Sequence, residues 1–112
     1  MKIKMEEKHI KQGKRSLDQS PVTIALREFF PGVTMKLNRG SMVHRWGIRV
    51  YTAADRLIDE VILFDLDQPL DRYFRGAEIS PREINWTGRD WSDISEIRAA
   101  QERIAASDAV VV

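Results

Sequence analysis

The amino-acid sequence predicts an α+β protein with a mostly antiparallel sheet, arranged as a two-layer sandwich in the order β-α-β-β-α-β with a C-terminal helix. Two patterns carry this prediction. Segments in which apolar and polar residues alternate are typical of half-buried strands, whereas apolar residues three and four positions apart are typical of helices that bury one face. Two helices on one face of an antiparallel sheet give two layers around one core.

Alternation marks three strands in the first half of the chain and a fourth further on. The first covers residues 2–5, and residues 33–37 and 46–51 share the same period and predict a hairpin around a turn at 38–42. A fourth strand is predicted at residues 73–79. The apolar members of the first three strands are expected to face the helices. They are Ile3, Met5, Val33, Met35, Leu37, Trp46, Ile48 and Val50.

Capping signals place the two helices of the sandwich. Ser20 is a good N-cap because its hydroxyl accepts a free backbone N–H, and Pro21 suits the first helical position because it lacks an N–H. This helix ends before Pro31. Residues 52–55 have the T-x-x-D spacing of a capping box, so a second helix is predicted to follow them and to break at residues 65–69.

The remaining segments are predicted as a loop, a short turn and a last helix. The polar residues 9–20 form the loop, and Ser80 with Pro81 begins the short helical turn. Ser92 is predicted to cap a final helix that ends near residue 107. Its apolar stripe is narrow, which suits either light packing on the domain or pairing with a second copy as a homodimer.

Length and cysteine content set the class of protein. The chain has 112 residues, so we predict an α+β domain at residues 1–80 and a C-terminal loop and helix as an appendage at residues 81–112. It has no cysteine, and therefore no disulfide and no thiolate ligand, which favours the cytoplasm. No segment has the apolar length of a signal peptide or a membrane span, so no contact with a membrane is expected.

Charge is unevenly distributed along the chain. Residues 1–50 carry eleven Lys and Arg against four Asp and Glu, a net charge of +7. Residues 51–112 carry seven against thirteen, a net charge of −6. Such asymmetry is explained by a basic binding face, by attraction between the two halves, or by chance distribution over a solvated surface, and the sequence leaves all three open.

Three short patterns resemble a known set of proteins. They are His9-Ile10-x-x-Gly13, Pro21-Val22-x-x-Ala25-Leu26 and Phe64-Asp65-x-x-x-Pro69. Together they cover about residues 1–79 and resemble a family of small uncharacterised proteins encoded by bacteriophages and prophages. Ser20 stands where we expect a cysteine in that family, and Asp71-Arg72 where we expect a second proline. The resemblance implies the cytoplasm of a bacterial host as the setting, and no particular chemistry.

Residues on the outer face of the predicted sheet carry positive charge. They are Lys2, Lys4, Lys36, Arg45, Arg49 and Tyr51. A basic sheet with an aromatic residue is suited to follow a phosphate backbone and to stack a base, so these residues form the predicted nucleic-acid site. The alternative is an ordinary solvated face, because a sheet covered on one side is polar on the other.

The loop at residues 85–91 holds two tryptophans around an arginine. Trp86, Arg89 and Trp91 belong to the residue types that anchor protein interfaces, so this loop is the predicted protein-binding site. The alternative is that both indoles are buried and fasten the C-terminal helix to the domain. In that case, replacing either tryptophan unfolds the protein.

No catalytic motif is found in the sequence. The six glycines are isolated, so neither a phosphate loop nor a dinucleotide fingerprint is present. His9 and His44 lie outside any metal-ligand spacing, and Asp65, Asp67 and Asp71 do not match a calcium loop. We therefore expect no enzyme activity, no cofactor and no metal.

The predicted function is that of a small non-enzymatic binding protein encoded by a phage or prophage. It is expected to act by surface contact with a host or phage macromolecule, a protein rather than a nucleic acid, through its basic half. The alternative is a sequence-tolerant nucleic-acid-binding protein that uses the basic sheet face. A small enzyme whose site one sequence does not reveal is the third hypothesis.

Overall fold

A computed structural model describes residues 1–40 and 45–110 of the chain. His44, residues 41 and 42 of the predicted turn, and residues 111–112 lie outside this range. The elements are β1 (Lys2–Met5), α1 (Glu7–Gln12), α2 (Pro21–Phe29), β2 (Thr34–Arg39), β3 (Trp46–Tyr51), β4 (Leu57–Ile62), α3 (Asp67–Phe74), β5 (Arg82–Asn85) and α4 (Ile94–Val110). The predicted α+β class is confirmed, together with its antiparallel pairing and its C-terminal helix.

The described strands form two separate antiparallel sheets. In the larger sheet β3 lies between β2 and β4, and in the smaller sheet β1 pairs with β5. This pairing places Ile3 opposite Ile84. The prediction of one continuous sheet is therefore wrong, because β1 pairs with a strand from the end of the fold and does not extend the hairpin of β2 and β3.

One hydrophobic core spans both sheets. Helix α2 joins them, since it packs against β1 of the smaller sheet and β2 of the larger one. The eight strand residues predicted to face the core are all buried, none of them more than 5 % exposed. The alternation read from the sequence therefore assigns the inward residues of β1, β2 and β3 correctly, although it does not reveal that they belong to two sheets.

Helix α2 begins as the sequence predicts. The Ser20 hydroxyl accepts a hydrogen bond from the Thr23 backbone N–H at 3.2 Å, and Pro21 occupies the first position of the helix. Val22 and Leu26, four residues apart, are buried. The cap and the apolar stripe both favour a helix at residues 21–29. The local sequence preference and the tertiary packing therefore favour the same structure.

The segment predicted as the second helix is strand β4. Asp55 has a φ of 65°, in the left-handed region that Asp tolerates. Its N–H donates to the Thr52 carbonyl at 2.9 Å, and the Thr52 N–H donates to the Arg56 carbonyl at 2.9 Å. The T-x-x-D spacing therefore marks a tight turn from β3 into β4 and not a helix cap. The β-branched residues that follow suit a strand.

Helix α3 overlaps the last three residues of the break predicted at 65–69 and the first two of the strand predicted at 73–79, and the rest of that predicted strand is not a strand. Pro69 lies in its first turn, where a proline removes no intrahelical hydrogen bond. Leu70 and Tyr73, three residues apart, are both buried. The sequence prediction took Pro69 as the end of a helix, whereas it stands near the start of one.

Two short elements replace the other predicted loop and turn. Helix α1 overlaps the predicted loop at 9–20, and the His9 Nδ1 accepts a hydrogen bond from the Glu6 backbone N–H at 2.8 Å to complete a capping box. The residues from Ser80 lead into strand β5 and not into a helical turn. The reason is tertiary, because Ile84 is fully buried beside β1.

Helix α4 begins at Ile94, slightly later than predicted. Asp93, and not Ser92, accepts the first backbone hydrogen bond, from the Ser95 N–H at 2.9 Å. The Ser95 hydroxyl donates to the same carboxylate at 2.7 Å. These two hydrogen bonds hold the pKa of Asp93 below its ordinary value.

The segment predicted as an appendage, residues 81–112, shares its core with residues 1–80. Its first part is β5, which pairs with β1. Ala100 of α4 is buried, and a Cβ atom placed on Gly32 would lie 3.0 Å from the Cδ1 atom of Ile97. Helix α4 therefore lies against the rest of the same chain.

Candidate functional site

The residues of the predicted nucleic-acid site lie on two sheets. Lys2 and Lys4 belong to β1 of the smaller sheet. Lys36 on β2 lies opposite Arg49 on β3 of the larger sheet, where the half-buried Tyr51 also belongs, and Arg45 is the residue before β3. The structure brings Lys36, Arg49 and Tyr51 together on one face of the larger sheet but does not place all six residues on one sheet face.

Part of this positive charge is compensated by nearby carboxylates. The Arg49 Nε lies 3.1 Å from the Glu60 Oε1, within ion-pair distance but without the angle of a hydrogen bond. The Lys2 Nζ lies 3.6 Å from the Glu83 Oε2. The Arg45 guanidinium stacks over the ring of Phe64, 5.5 Å from its centre. The outer faces of the sheets thus carry mixed charge.

The two tryptophans of the predicted protein-binding site belong to the core. Trp86 is 2 % exposed and Trp91 is 0 % exposed. The Trp86 Nε1 donates to the Arg89 carbonyl at 2.9 Å, and its ring packs against Phe30 with the ring centres 5.2 Å apart. The prediction of an indole interface is therefore corrected, since a buried ring cannot contact a partner. Only Arg89 of that site is exposed, and it forms an ion pair with Glu96 at 2.9 Å.

Both ring nitrogens of the buried His9 are occupied. Nδ1 accepts the Glu6 N–H, so Nε2 carries the proton and donates to the Glu28 Oε2 at 2.9 Å. The Lys8 Nζ lies 2.9 Å from the other oxygen of Glu28. Hydrogen bonds from Lys8 and then His9 lower the pKa of Glu28, and the carboxylate of Glu28 raises the pKa of Lys8. The arrangement holds α1 on α2 and leaves no free nitrogen for a general base.

Two of the three aspartates considered as metal ligands, Asp67 and Asp71, bind protein groups. The Asp67 Oδ1 accepts the Trp46 backbone N–H at 2.8 Å, and the Asp71 Oδ1 accepts the Trp46 indole N–H at 2.9 Å. Arg39 forms an ion pair with Asp71 at 2.7 Å. These carboxylates dock α3 on β3. In the described part of the chain, no group of three or more His, Asp or Glu is placed to hold a metal ion.

A cleft of about 680 Å³ opens between α1, the loop after it, α3 and the start of β5. Four cations line it, together with two carboxylates, from Glu7 and Glu78. The cations are Lys11, Arg15, Arg72 and Arg82. We call this site the cation cleft. The sequence does not predict it because its members come from two distant segments, residues 7–15 and 69–82, and the basic character of the first half of the chain accounts only for Lys11 and Arg15.

The second unassigned feature is the free edge of β4. Among the described residues, no strand pairs with the side of β4 that faces away from β3. Leu57 and Ile62 on this strand and Phe64 just after it are exposed to 44 %, 41 % and 39 %. A groove of about 490 Å³ runs between β4 and the loop that contains Arg89, and Asp59 contributes to its wall. We call Leu57, Asp59, Ile62, Phe64 and Arg89 the β4 edge.

No known protein family, curated protein or solved structure matches this chain. The resemblance to phage-encoded proteins therefore stays a prediction. In the described part of the chain, no helix combines the length and the apolar character needed to cross a lipid bilayer.

Proposed function

We propose that this protein is a non-enzymatic binding protein that docks an extended segment of a partner protein along the β4 edge. The observation that carries the proposal is a strand with one edge unpaired among the described residues and with exposed apolar side chains at both ends, Leu57 at one and Ile62 at the other. An open edge offers a row of free backbone N–H and C=O groups, and apolar side chains beside it supply contact area and selectivity.

The other edge of the larger sheet is less available. The Leu37 N–H of β2 donates to the Leu17 carbonyl at 2.8 Å, so the loop before α2 already occupies part of that edge. The β4 edge has no comparable backbone hydrogen bond among the described residues. A partner strand therefore finds its pairing groups at β4.

The charges on β4 favour a partner of different sequence over a second copy of this chain. Asp59 and Glu60 stand at the centre of the strand. Symmetric antiparallel pairing of two copies would place these carboxylates against each other, and like charges opposite one another destabilise a pair of strands. The occupant we propose is an extended segment with a Lys or Arg at its centre and apolar residues on either side.

The setting we propose is the cytoplasm of a bacterial host that carries the phage or prophage implied by the resemblance. A host protein with an exposed basic segment is then a suitable partner. Both ring nitrogens of His9 are hydrogen-bonded, and one oxygen of each of Asp67 and Asp71 binds Trp46, which supports a structural role for these residues.

Binding of defined peptides tests the proposal directly. The probe is a fluorescent ten-residue peptide that alternates apolar residues with lysine, compared with the same peptide carrying glutamate in place of lysine. We expect the lysine peptide to bind and the glutamate peptide not to bind. Ile62→Lys should weaken binding by about tenfold or more, because it removes an apolar contact and adds a like charge.

Ile94→Lys is the matched control, since Ile94 is exposed on α4 and lies away from the groove. This variant should bind the lysine peptide as the unmodified protein does. Docking at the β4 edge would be contradicted if both peptides bound with equal affinity. It would also be contradicted if Ile62→Lys and Ile94→Lys lost equal affinity for the lysine peptide.

The alternative is nucleic-acid binding by the sheet face. Lys4 and Lys36 are exposed and have no carboxylate within 4.0 Å among the described residues, which keeps this alternative open. Fluorescence anisotropy of a labelled mixed-sequence oligonucleotide at low and near-physiological salt tests it. Affinity that falls steeply with salt and is lost in Lys36→Gln would favour it, because released counterions drive such binding.

A further inference from the structure

We propose that the cation cleft binds the phosphate group of a small ligand, a phosphate monoester or a diphosphate. The cleft is separate from the β4 edge and independent of the function proposed above. Its charge balance, the way its arginines are held, and its size all favour phosphate.

The four cations of the cleft have no carboxylate partner among the described residues, whereas several basic residues elsewhere on this surface have one. Lys2, Arg39 and Arg89 each have a carboxylate oxygen within 4.0 Å. In the described part of the chain, none of Lys11, Arg15, Arg72 and Arg82 has one. With two carboxylates on the wall, the cleft carries a net charge of +2, which a dianionic phosphate would neutralise.

Two of the four cations are held in place by neutral groups. The Arg15 Nε donates to the Tyr73 carbonyl at 2.9 Å, and one Nη donates to the carbonyls of Gly76 at 2.9 Å and Ala77 at 3.0 Å. Its guanidinium also stacks on the Tyr73 ring, 4.8 Å from the ring centre. The other Nη of Arg15 has no partner among the described residues. A charge fixed in this way is available to an anion without further ordering of the side chain.

Arg82 is held similarly at the other wall. Its Nη donates to the Ser80 hydroxyl at 3.0 Å, and its Nε lies 3.3 Å from the Ser80 carbonyl. Guanidinium groups match the geometry of phosphate oxygens through paired N–H donors. Lys11 and Arg72 are exposed at the rim and add charge that adapts to the ligand.

The shape of the cleft favours a small phosphorylated ligand over a nucleic-acid strand. Its volume of about 680 Å³ is in the range of small-molecule sites. Tyr73 is the aromatic residue on its wall, and this ring is buried with Arg15 stacked on it. Since a base needs an exposed ring on which to stack, the cleft recognises the phosphate and not the base.

Isothermal titration calorimetry with inorganic pyrophosphate tests the site, with a single-stranded oligonucleotide as the competing probe. We expect the 112-residue protein to bind pyrophosphate. Arg72→Gln and Lys11→Gln should each weaken this binding by about tenfold, because each removes a charge-assisted hydrogen bond to the anion. Both residues are exposed, so circular dichroism should show both variants folded.

Arg75→Gln is the matched control. Arg75 is an exposed arginine at the end of α3, three residues beyond Arg72, and does not line the cleft. Its replacement should leave the affinity for pyrophosphate unchanged. Ile62→Lys should also leave it unchanged, which separates this site from the β4 edge.

Three results would overturn the proposal. One is no heat of binding with pyrophosphate at low salt. Another is an equal loss of affinity in Arg72→Gln and Arg75→Gln, which would show attraction by overall charge. The third is tighter binding of the oligonucleotide that Arg72→Gln abolishes, which would assign the cleft to nucleic acid.

Discussion

Both ring nitrogens of His9 are used within the fold, one by the Glu6 backbone and one by Glu28. A buried histidine hydrogen-bonded to a carboxylate is a common arrangement in catalytic sites. In this protein, however, the unprotonated Nδ1 atom of His9 caps helix α1. The hydrogen-bond partners of the ring therefore decide its role. The sequence shows only a lone histidine in a polar stretch, and nothing in it reveals the Glu28 contact from another helix.

The ion pair between Glu28 and Lys8 predicts a pH dependence of stability. The pKa of Glu28 is lowered from its usual 4.5, so the contribution of this carboxylate is present above pH 4.5 and lost as pH falls through the lower folded value. The pKa of Lys8 is raised from 10.5, so its contribution is lost as pH rises through the higher folded value. At pH values between these two limits, Glu28→Gln should lower the midpoint temperature of unfolding. In strong acid, where the Glu28 carboxylate is protonated, the substitution should have no effect.

Thermal unfolding, monitored by circular dichroism from pH 2 to 8, measures the difference in midpoint temperature between Glu28→Gln and the unmodified protein. Glu102→Gln is the control, since Glu102 is exposed on α4 and has no ion pair among the described residues. A midpoint difference for Glu28→Gln that persists unchanged at the acid end would contradict the assignment.

Asp71 makes a second residue-level prediction. Its carboxylate accepts both the Trp46 indole N–H and the Arg39 guanidinium, and the Trp46 ring stacks on Phe74 with the ring centres 5.0 Å apart. Asp71→Ala leaves the indole N–H without an acceptor, so we expect a loss of about 1–3 kcal/mol in the free energy of unfolding. Urea denaturation measures it. Asp71→Asn keeps an oxygen acceptor and should lose less; an equal or greater loss would show that the indole contact is unimportant.

At the scale of elements, the strand β4 shows where the sequence is ambiguous. Leu57, Ile58, Val61 and Ile62 have a spacing that fits a helix, and the T-x-x-D signal before them fits a cap. The outcome depends on β3, whose second edge needs a partner, and on the turn at Asp55 that returns the chain to it. The sequence of residues 57–62 alone does not show that the second edge of β3 requires a partner strand.

Substitutions at Asp55 test the hairpin turn. Its φ of 65° is tolerated by Asp and Gly, but a β-branched side chain is strained there. Asp55→Val should therefore cost about 1–2 kcal/mol of unfolding free energy, whereas Asp55→Gly should change it little. Chemical denaturation of both variants provides the comparison. If the two lose equal stability, the left-handed conformation is not what the position requires.

The sequence predicts helix α2 correctly but does not predict helix α3. Ser20 and Pro21 start α2 as predicted, because both signals act on backbone groups next to them. Pro69 misled the prediction, since a proline suits the first turn of a helix and also ends one. The buried pair Leu70 and Tyr73, at helical spacing, was the signal that could have placed α3.

At the scale of the molecule, both proposed sites consist of residues that are distant along the chain. The cation cleft combines Lys11 and Arg15 with Arg72 and Arg82, and the groove at β4 combines Ile62 with Arg89. Among these, the sequence indicated Arg89, from its position between two aromatic residues, and Lys11 and Arg15, as members of the basic half of the chain. Residues that come together from separate elements have no fixed spacing along the chain. Such sites can be recognised only once the topology is known.

The oligomeric state is a whole-molecule prediction that Ala100 tests. The predicted homodimer uses α4, yet Ala100 is buried against the same chain, near Leu57 and Ile58. Ala100→Glu should lower the free energy of unfolding by roughly 1–3 kcal/mol, because it buries an unpaired charge. Light scattering and urea denaturation measure mass and stability together. A change from dimer to monomer without loss of stability would favour pairing through α4.

The pairing of β1 with β5 also sets an order in which the protein can fold as it is synthesised. Lys2–Met5 leave the ribosome before the larger sheet, but their partner Arg82–Asn85 follows only after the three strands of that sheet. The meander of β2, β3 and β4 joins neighbours in sequence and closes short loops, so it can form early. Until β5 emerges, the backbone N–H and C=O groups of Lys2–Met5 have no partner strand, and we expect the nascent chain to expose this edge to chaperones and proteases.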